Sequence, residues 1–144
     1  MIDDPLLERK TTSAIIGAFY EVYNTLGYGF LEQVYSLALE QELLERNHKV
    51  SREVMISIVY KGKSLTTHRL DMVVDDKVVV ENKSTVVLPP FSRRQTLNYL
   101  RASGLQVGLI LHFGPQAEFL RVVHSNQTGS NALERSSTNN SRET

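Results

Sequence analysis

The chain has 144 residues, no cysteine, and sixteen basic side chains balanced by sixteen acidic ones. That length suits one domain around a single core, and the absence of cysteine excludes disulfides, thiolate zinc sites and thiol catalysis. Zero net charge argues against a tight, non-specific nucleic-acid binder, and no apolar stretch approaches the roughly 18 residues of a membrane span.

No basic start leads into an apolar run, so a soluble, cytoplasmic protein with no membrane contact is expected. The charges are segregated, however. Residues 1–45 carry two basic and eight acidic side chains, whereas residues 46–124 carry twelve and six. A basic working face therefore remains open to the second segment.

In chain order, Ile15, Ile16, Phe19, Val22, Tyr23 and Leu26 recur at three- and four-residue spacing, which predicts an amphipathic helix ending at Gly27. Phe30, Leu31, Val34, Tyr35, Ala38, Leu39 and Leu43 predict a second helix, completing a helical hairpin. From Val50 the period falls to two, and strands are expected over about 50–60, 66–74 and 77–84, with a turn at "KGK". Pro89 and Pro90 stand where a third helix, "PFSRRQTLNYLRAS", would begin, and Gly104 would end it. "LQVGLILHF" and "EFLRVVH" read as two more strands. The fold class is therefore α/β, of the α+β kind, with a mixed sheet flanked by helices in the order ααβββαββ. One domain over residues 1–124 is expected. Residues 125–144, rich in Ser, Asn and Thr, have nothing to bury and are expected to be a disordered tail.

The chemistry gathers in "HRLDMVVDDKVVVENKS", residues 68–84, where two valine runs each carry an acid. A two-residue turn at Asp75 and Asp76 would put Asp71 opposite Val80 and send Glu81 to the other face. A three-residue loop, Asp75 to Lys77, would instead place Asp71 opposite Glu81, with Cβ atoms about 5 Å apart. Lys83 would then share the face of Glu81, while Asn82 points the other way. Two carboxylates with oxygen-only donors suit magnesium or manganese, and the cation and the nearby ammonium would offset their repulsion. Taken alone, each residue is better read without chemistry, Glu81 and Lys83 as a solvated edge pair and Asp71 as the end of a strand; jointly the pattern favours the site. His68 lies an odd number of positions from Asp71, so a regular strand would turn it away.

Taken together, these segments resemble the PD-(D/E)XK nuclease superfamily, and within it the small proteins named for a GxxExxY motif. Here that motif is Gly29, Glu32 and Tyr35 in "GFLEQVY". The resemblance runs from about Thr11 to His124, through "YKGKSL", "HRLDMVVDDKVVVENKS", "QTLNYL", "VGLILHFG" and "RVV" in order. It implies a restriction-endonuclease-like core and metal-dependent cleavage of phosphodiesters. By motif, Asp71 and Glu81 would bind Mg2+ or Mn2+, with the Asn82 backbone carbonyl and Glu32 as further ligands. Lys83 would orient or activate the attacking water, and Glu32 and Gln95 would assist.

Glu32 has a second reading as an acid near a helix start, the third residue if Gly29 is the cap. Tyr35 reads as core packing. On the third helix, Arg93, Arg94, Asn98 and Arg101 are expected to touch nucleic-acid phosphates, either DNA or RNA. So small a neutral chain would need to form a homodimer to grip a long duplex. The alternative function is a nuclease-derived module that binds nucleic acid or protein without cleaving it.

Overall fold

A computed structural model of the protein describes residues 7–125. Residues 126–144, most of the expected tail, lie outside the described residues. The elements are α1 (Arg9–Leu26), α2 (Glu32–Glu45), β1 (Val50–Tyr60), β2 (Lys63–Val74), β3 (Val78–Lys83), α3 (Ser92–Ser103), β4 (Val107–Phe113) and β5 (Ala117–Val123). The expected order of elements is observed. None of these helices is long and apolar enough to cross a membrane.

The five strands form one sheet in chain order, β1-β2-β3-β4-β5. Only β3 and β4 run parallel, because α3 carries the chain back across the sheet between them. Two cores follow from the alternation of side chains. On one face, Ile15, Phe19 and Val22 of α1 and Tyr35, Leu39 and Leu43 of α2 pack on Met72, Val74, Val78, Val80, Leu109 and Phe113. On the other, Leu97 and Leu100 of α3 cover Val73, Val79, Ile110 and Val122. Each fully buried leucine or phenylalanine contributes about 2 kcal/mol of apolar burial, so both layers hold the sheet strongly. Gly108 lets α3 lie close on β4, since a Cβ there would stand 2.9 Å from Thr96 Cγ2.

β2 begins three residues earlier than its sequence pattern suggests. Lys61 and Gly62 take left-handed backbone angles, φ 50° and 81°, and make a two-residue turn that pairs Tyr60 directly with Lys63. At the other end of β2 the three-residue loop is present: Val74 pairs with Val78, Val73 with Val79 and Met72 with Val80. The Asp75 carboxylate anchors that loop by accepting the Lys49 N–H at 3.0 Å and the Thr11 hydroxyl at 3.0 Å, and it lies 2.8 Å from His48 Nδ1.

Candidate active site

The regular ladder between β2 and β3 stops at Met72 and Val80. One step further, the acids replace it. Glu81 Oε2 accepts the Asp71 N–H at 3.0 Å, and Asp71 Oδ2 accepts the Asn82 N–H at 2.7 Å. Each carboxylate thus satisfies a backbone donor of the opposite strand.

The cause of the break lies partly on β1. Glu53 adopts φ 55°, and pairing passes from Arg52 with Met72 to Val54 with Leu70, omitting Glu53 and Asp71. The strand phase changes there. Met72 packs under α1 and α2, yet Leu70, two residues away, packs with α3. The regular-strand expectation for His68 therefore fails: its ring stacks on Tyr99 of α3, centroids 4.0 Å apart, and its charge lowers the Asp71 pKa.

Electrostatics follow from burial. Glu81 is only 5% exposed, and burial, then the Asp71 charge, push its pKa up to about 7, against the opposing pull of the Asp71 N–H and Lys83. Asp71 is also raised, chiefly by burial, although the Asn82 N–H bond and the charges of Lys83, His68 and Arg69 oppose the shift. The Tyr99 phenol is raised by burial and then by Glu81 and Asp71, so its ring stands beside the pair.

Glu32 is the first residue of α2 with Leu31 as N-cap, not the third after a Gly29 cap. Its Oε2 lies 3.5 Å from the Ser84 N–H donor, and its charge adds to the upward shift of Glu81. Gly29 supplies φ 112° in the loop before α2. The buried Tyr35 phenol donates to the Gly27 carbonyl and accepts the Phe30 N–H, while its ring stacks on Phe113 at 4.2 Å. The motif thus builds the loop that delivers Glu32. Ser84, which the sequence reading passed over, donates its hydroxyl to the Phe30 carbonyl and joins this loop to the end of β3. Its only sequence cue is adjacency to Lys83.

Asn82 points toward α2, as the alternation requires, and its amide donates to Ser36 Oγ at 3.0 Å. A cleft of about 340 Å3 opens between the start of α2 and the break in β1 and β2, lined among others by Glu32, Ser36, Arg52, Glu53, Arg69 and Asp71. Sequence reading missed the contribution of β1 to it, because the left-handed Glu53 breaks the alternation on which strand facing was inferred.

α3 divides its polar residues. Gln95 is exposed one turn before Tyr99, on the side nearer the acids, with no hydrogen bond to them among the described residues. Arg93 donates to the Arg121 carbonyl at 3.1 Å, and Arg101 lies near His124, so both serve the β5 side. Arg94 is half-buried and Asn98 exposed. Of the four expected phosphate-contact residues, Arg93 and Arg101 therefore lie toward β5.

Among the described residues, no three acidic or histidine side chains converge as a complete metal-binding set. The nearest approach is the carboxylate pair, with Glu32 close by. Each acid commits one oxygen to a backbone donor, leaving its second oxygen for a hard cation.

The solved structure of SSO0001 shares the fold with a TM-score of 0.51 at 17% identity, over 94% of this chain and 68% of that one. No curated protein matches the chain significantly. Residues 9–122 match the family described as the PD-(D/E)XK nuclease superfamily, a span that includes both strands of the acid pair and α3. The chain belongs to the PD-(D/E)XK nuclease superfamily.

Proposed function

We propose that the protein is a nuclease of the GxxExxY kind, hydrolysing phosphodiester bonds of nucleic acid with Mg2+ or Mn2+. The observation that carries this reading is the cross-strand tie of the two acids, Glu81 accepting the Asp71 N–H and Asp71 accepting the Asn82 N–H. Two acids are kept adjacent and largely buried, where their repulsion costs stability, and one of them, Glu81, stands on the strand that also carries Lys83. A fold with no use for the pair would pack apolar side chains there at lower cost.

Asp71 and Glu81 would hold the ion, with the Asn82 backbone carbonyl and Glu32 as the remaining protein donors. When bound, the cation would neutralise phosphate charge and lower the pKa of a water. Lys83, near both acids, would orient the attacking water and stabilise charge developing on the phosphate. Glu32 would hold the Ser84 segment beside the reacting group, and Gln95 would approach from α3.

The test is calorimetric titration of manganese and magnesium into the wild type and Glu81→Ala, followed by labelled DNA and RNA with both proteins. Ion binding and cleavage by the wild type alone are expected. Retained ion affinity in the variant would sink the assignment. The second reading, a binding module without cleavage, is favoured by one observation: each acid has a structural role, accepting a backbone N–H of the opposite strand. It predicts nucleic-acid binding with no ion-dependent cleavage.

A further inference from the structure

The hairpin of β1 and β2 outgrows the domain. Its root is buried at Ile56 and Leu70, but residues 61–67 are all exposed, as are Ser57, Val59 and Tyr60. A sheet built only to close a core would stop where the helices stop. Here the ribbon continues bare on both faces.

The composition of this arm is selective. Residues 56–69 contain Lys61, Lys63, His68 and Arg69 with no acid, in a chain whose net charge is zero. Ser57, Ser64, Thr66 and Thr67 add hydroxyls, and Val59, Tyr60 and Leu65 add apolar surface, Leu65 lying at the irregularity in the ladder. Lys61 Nζ rests over the Tyr60 ring at 5.4 Å, and Arg69 is paired with Glu53 at 3.1 Å. Lys63 has no ion-pair partner among the described residues.

The arm grows out of the acid site. Lys63 stands eight residues along β2 from Asp71, roughly 26 Å at strand spacing, or about eight base pairs of duplex. The major groove of B-form DNA admits a two-stranded ribbon, offers phosphates to lysines on its walls, and presents donors, acceptors and thymine methyls on its floor. The corresponding groove of duplex RNA is too deep and narrow for side chains to read. We infer that the β1–β2 arm docks in the major groove of double-stranded DNA and holds a strand over Asp71 and Glu81. This extends the nuclease reading by naming its substrate, and it rests on that reading only for what happens at the acids.

The experiment measures binding by fluorescence anisotropy in chelator, where cleavage cannot proceed. The probes are a DNA duplex of about 24 base pairs, one of its strands alone, and an RNA duplex of the same sequence, between about 50 and 200 mM salt. The full chain is compared with Lys61→Asn/Lys63→Ser, in which asparagine tolerates the left-handed position and neither residue belongs to the acid site. The expected result is duplex DNA affinity at least tenfold weaker in the variant. Its log-affinity against log-salt slope should be smaller by about two, single-strand binding equal in both proteins, and the thermal midpoint unchanged.

Equal duplex binding by variant and wild type would overturn the inference, as would no duplex binding by either. Arm-dependent binding of duplex RNA as strong as that of DNA would refute the groove assignment. A wild type that light scattering shows to be a dimer, with the variant a monomer, would give the arm to a second copy of the chain instead. Arm-dependent DNA binding without cleavage after ion is restored would leave the arm assigned and remove the nuclease reading. Cleavage that ignores the arm would do the reverse.

Discussion

Asp71 and Glu81 face each other at the point where β2 and β3 stop pairing, each tied to backbone on the opposite strand: Glu81 accepts the Asp71 N–H and Asp71 accepts that of Asn82. The pairing keeps two largely buried carboxyls adjacent. In the absence of a cation the stability of the fold must then depend on pH.

The first prediction concerns Glu81→Gln. The Glu81 carboxyl titrates near 7 in the fold, raised by burial and by Asp71, against 4.5 ordinarily. The folded state therefore holds a proton that the unfolded state has released between those values. Stability falls as pH rises across that window, by roughly 2–3 kcal/mol, and is level in this group's contribution above it. Glutamine keeps the carbonyl acceptor and carries no charge, so the variant should lose this dependence and melt higher than the wild type at pH 8 in chelator. Parallel melting profiles at pH 5 and pH 8 would contradict it.

Cation binding should reverse the same penalty. At pH 8, manganese at about a hundred times its dissociation constant stabilises the folded state by roughly 2.7 kcal/mol, which raises the melting midpoint by about 5 °C or more. Asp71→Asn should abolish that rise. A midpoint that climbs equally in both proteins would mean that the ion binds elsewhere.

Lys83→Met separates chemistry from ion binding. Removing the ammonium leaves the carboxylate pair in place, so the manganese-dependent rise in midpoint should persist. Cleavage of labelled DNA should fall by about a hundredfold or more, the usual scale for losing one group that stabilises transition-state charge. A variant that cleaves as well as the wild type would remove Lys83 from the mechanism.

Much of this architecture is legible in the sequence, because most of it rests on local periodicity. The α1 repeat of Ile15, Phe19 and Val22 and the valine runs of β2 and β3 give the layers directly. The three-residue loop follows from asking which register would let Asp71 meet Glu81. What escapes is set by backbone conformations that no periodicity encodes. Left-handed Glu53 shifts the strand phase beside Asp71 and brings His68 onto Tyr99, and left-handed Lys61 with Gly62 starts β2 early. The place of Arg93 on α3 escapes for a different reason. A helix presents a polar face to solvent whichever way it is rotated, and only the docked position shows Arg93 reaching the β5 backbone rather than the acids.

Tyr35→Phe tests whether the motif acts through the loop before α2. The phenylalanine ring can keep the stack on Phe113, but the Gly27 carbonyl loses its phenol donor and the Phe30 N–H its acceptor. Leaving such groups unsatisfied costs about 1–3 kcal/mol, which urea unfolding would report as a lower midpoint with unchanged slope. The loop also carries Leu31 and Glu32 into the start of α2 and receives the Ser84 hydroxyl at the Phe30 carbonyl. Loosening it should therefore weaken manganese binding at Asp71 and Glu81, even though Tyr35 touches neither. If the tyrosine is only core, stability falls and ion affinity stays at the wild-type value. A fall in both, with the ion affinity of Glu32→Gln reduced to a similar degree, would place Tyr35 as a positioning residue acting through Glu32.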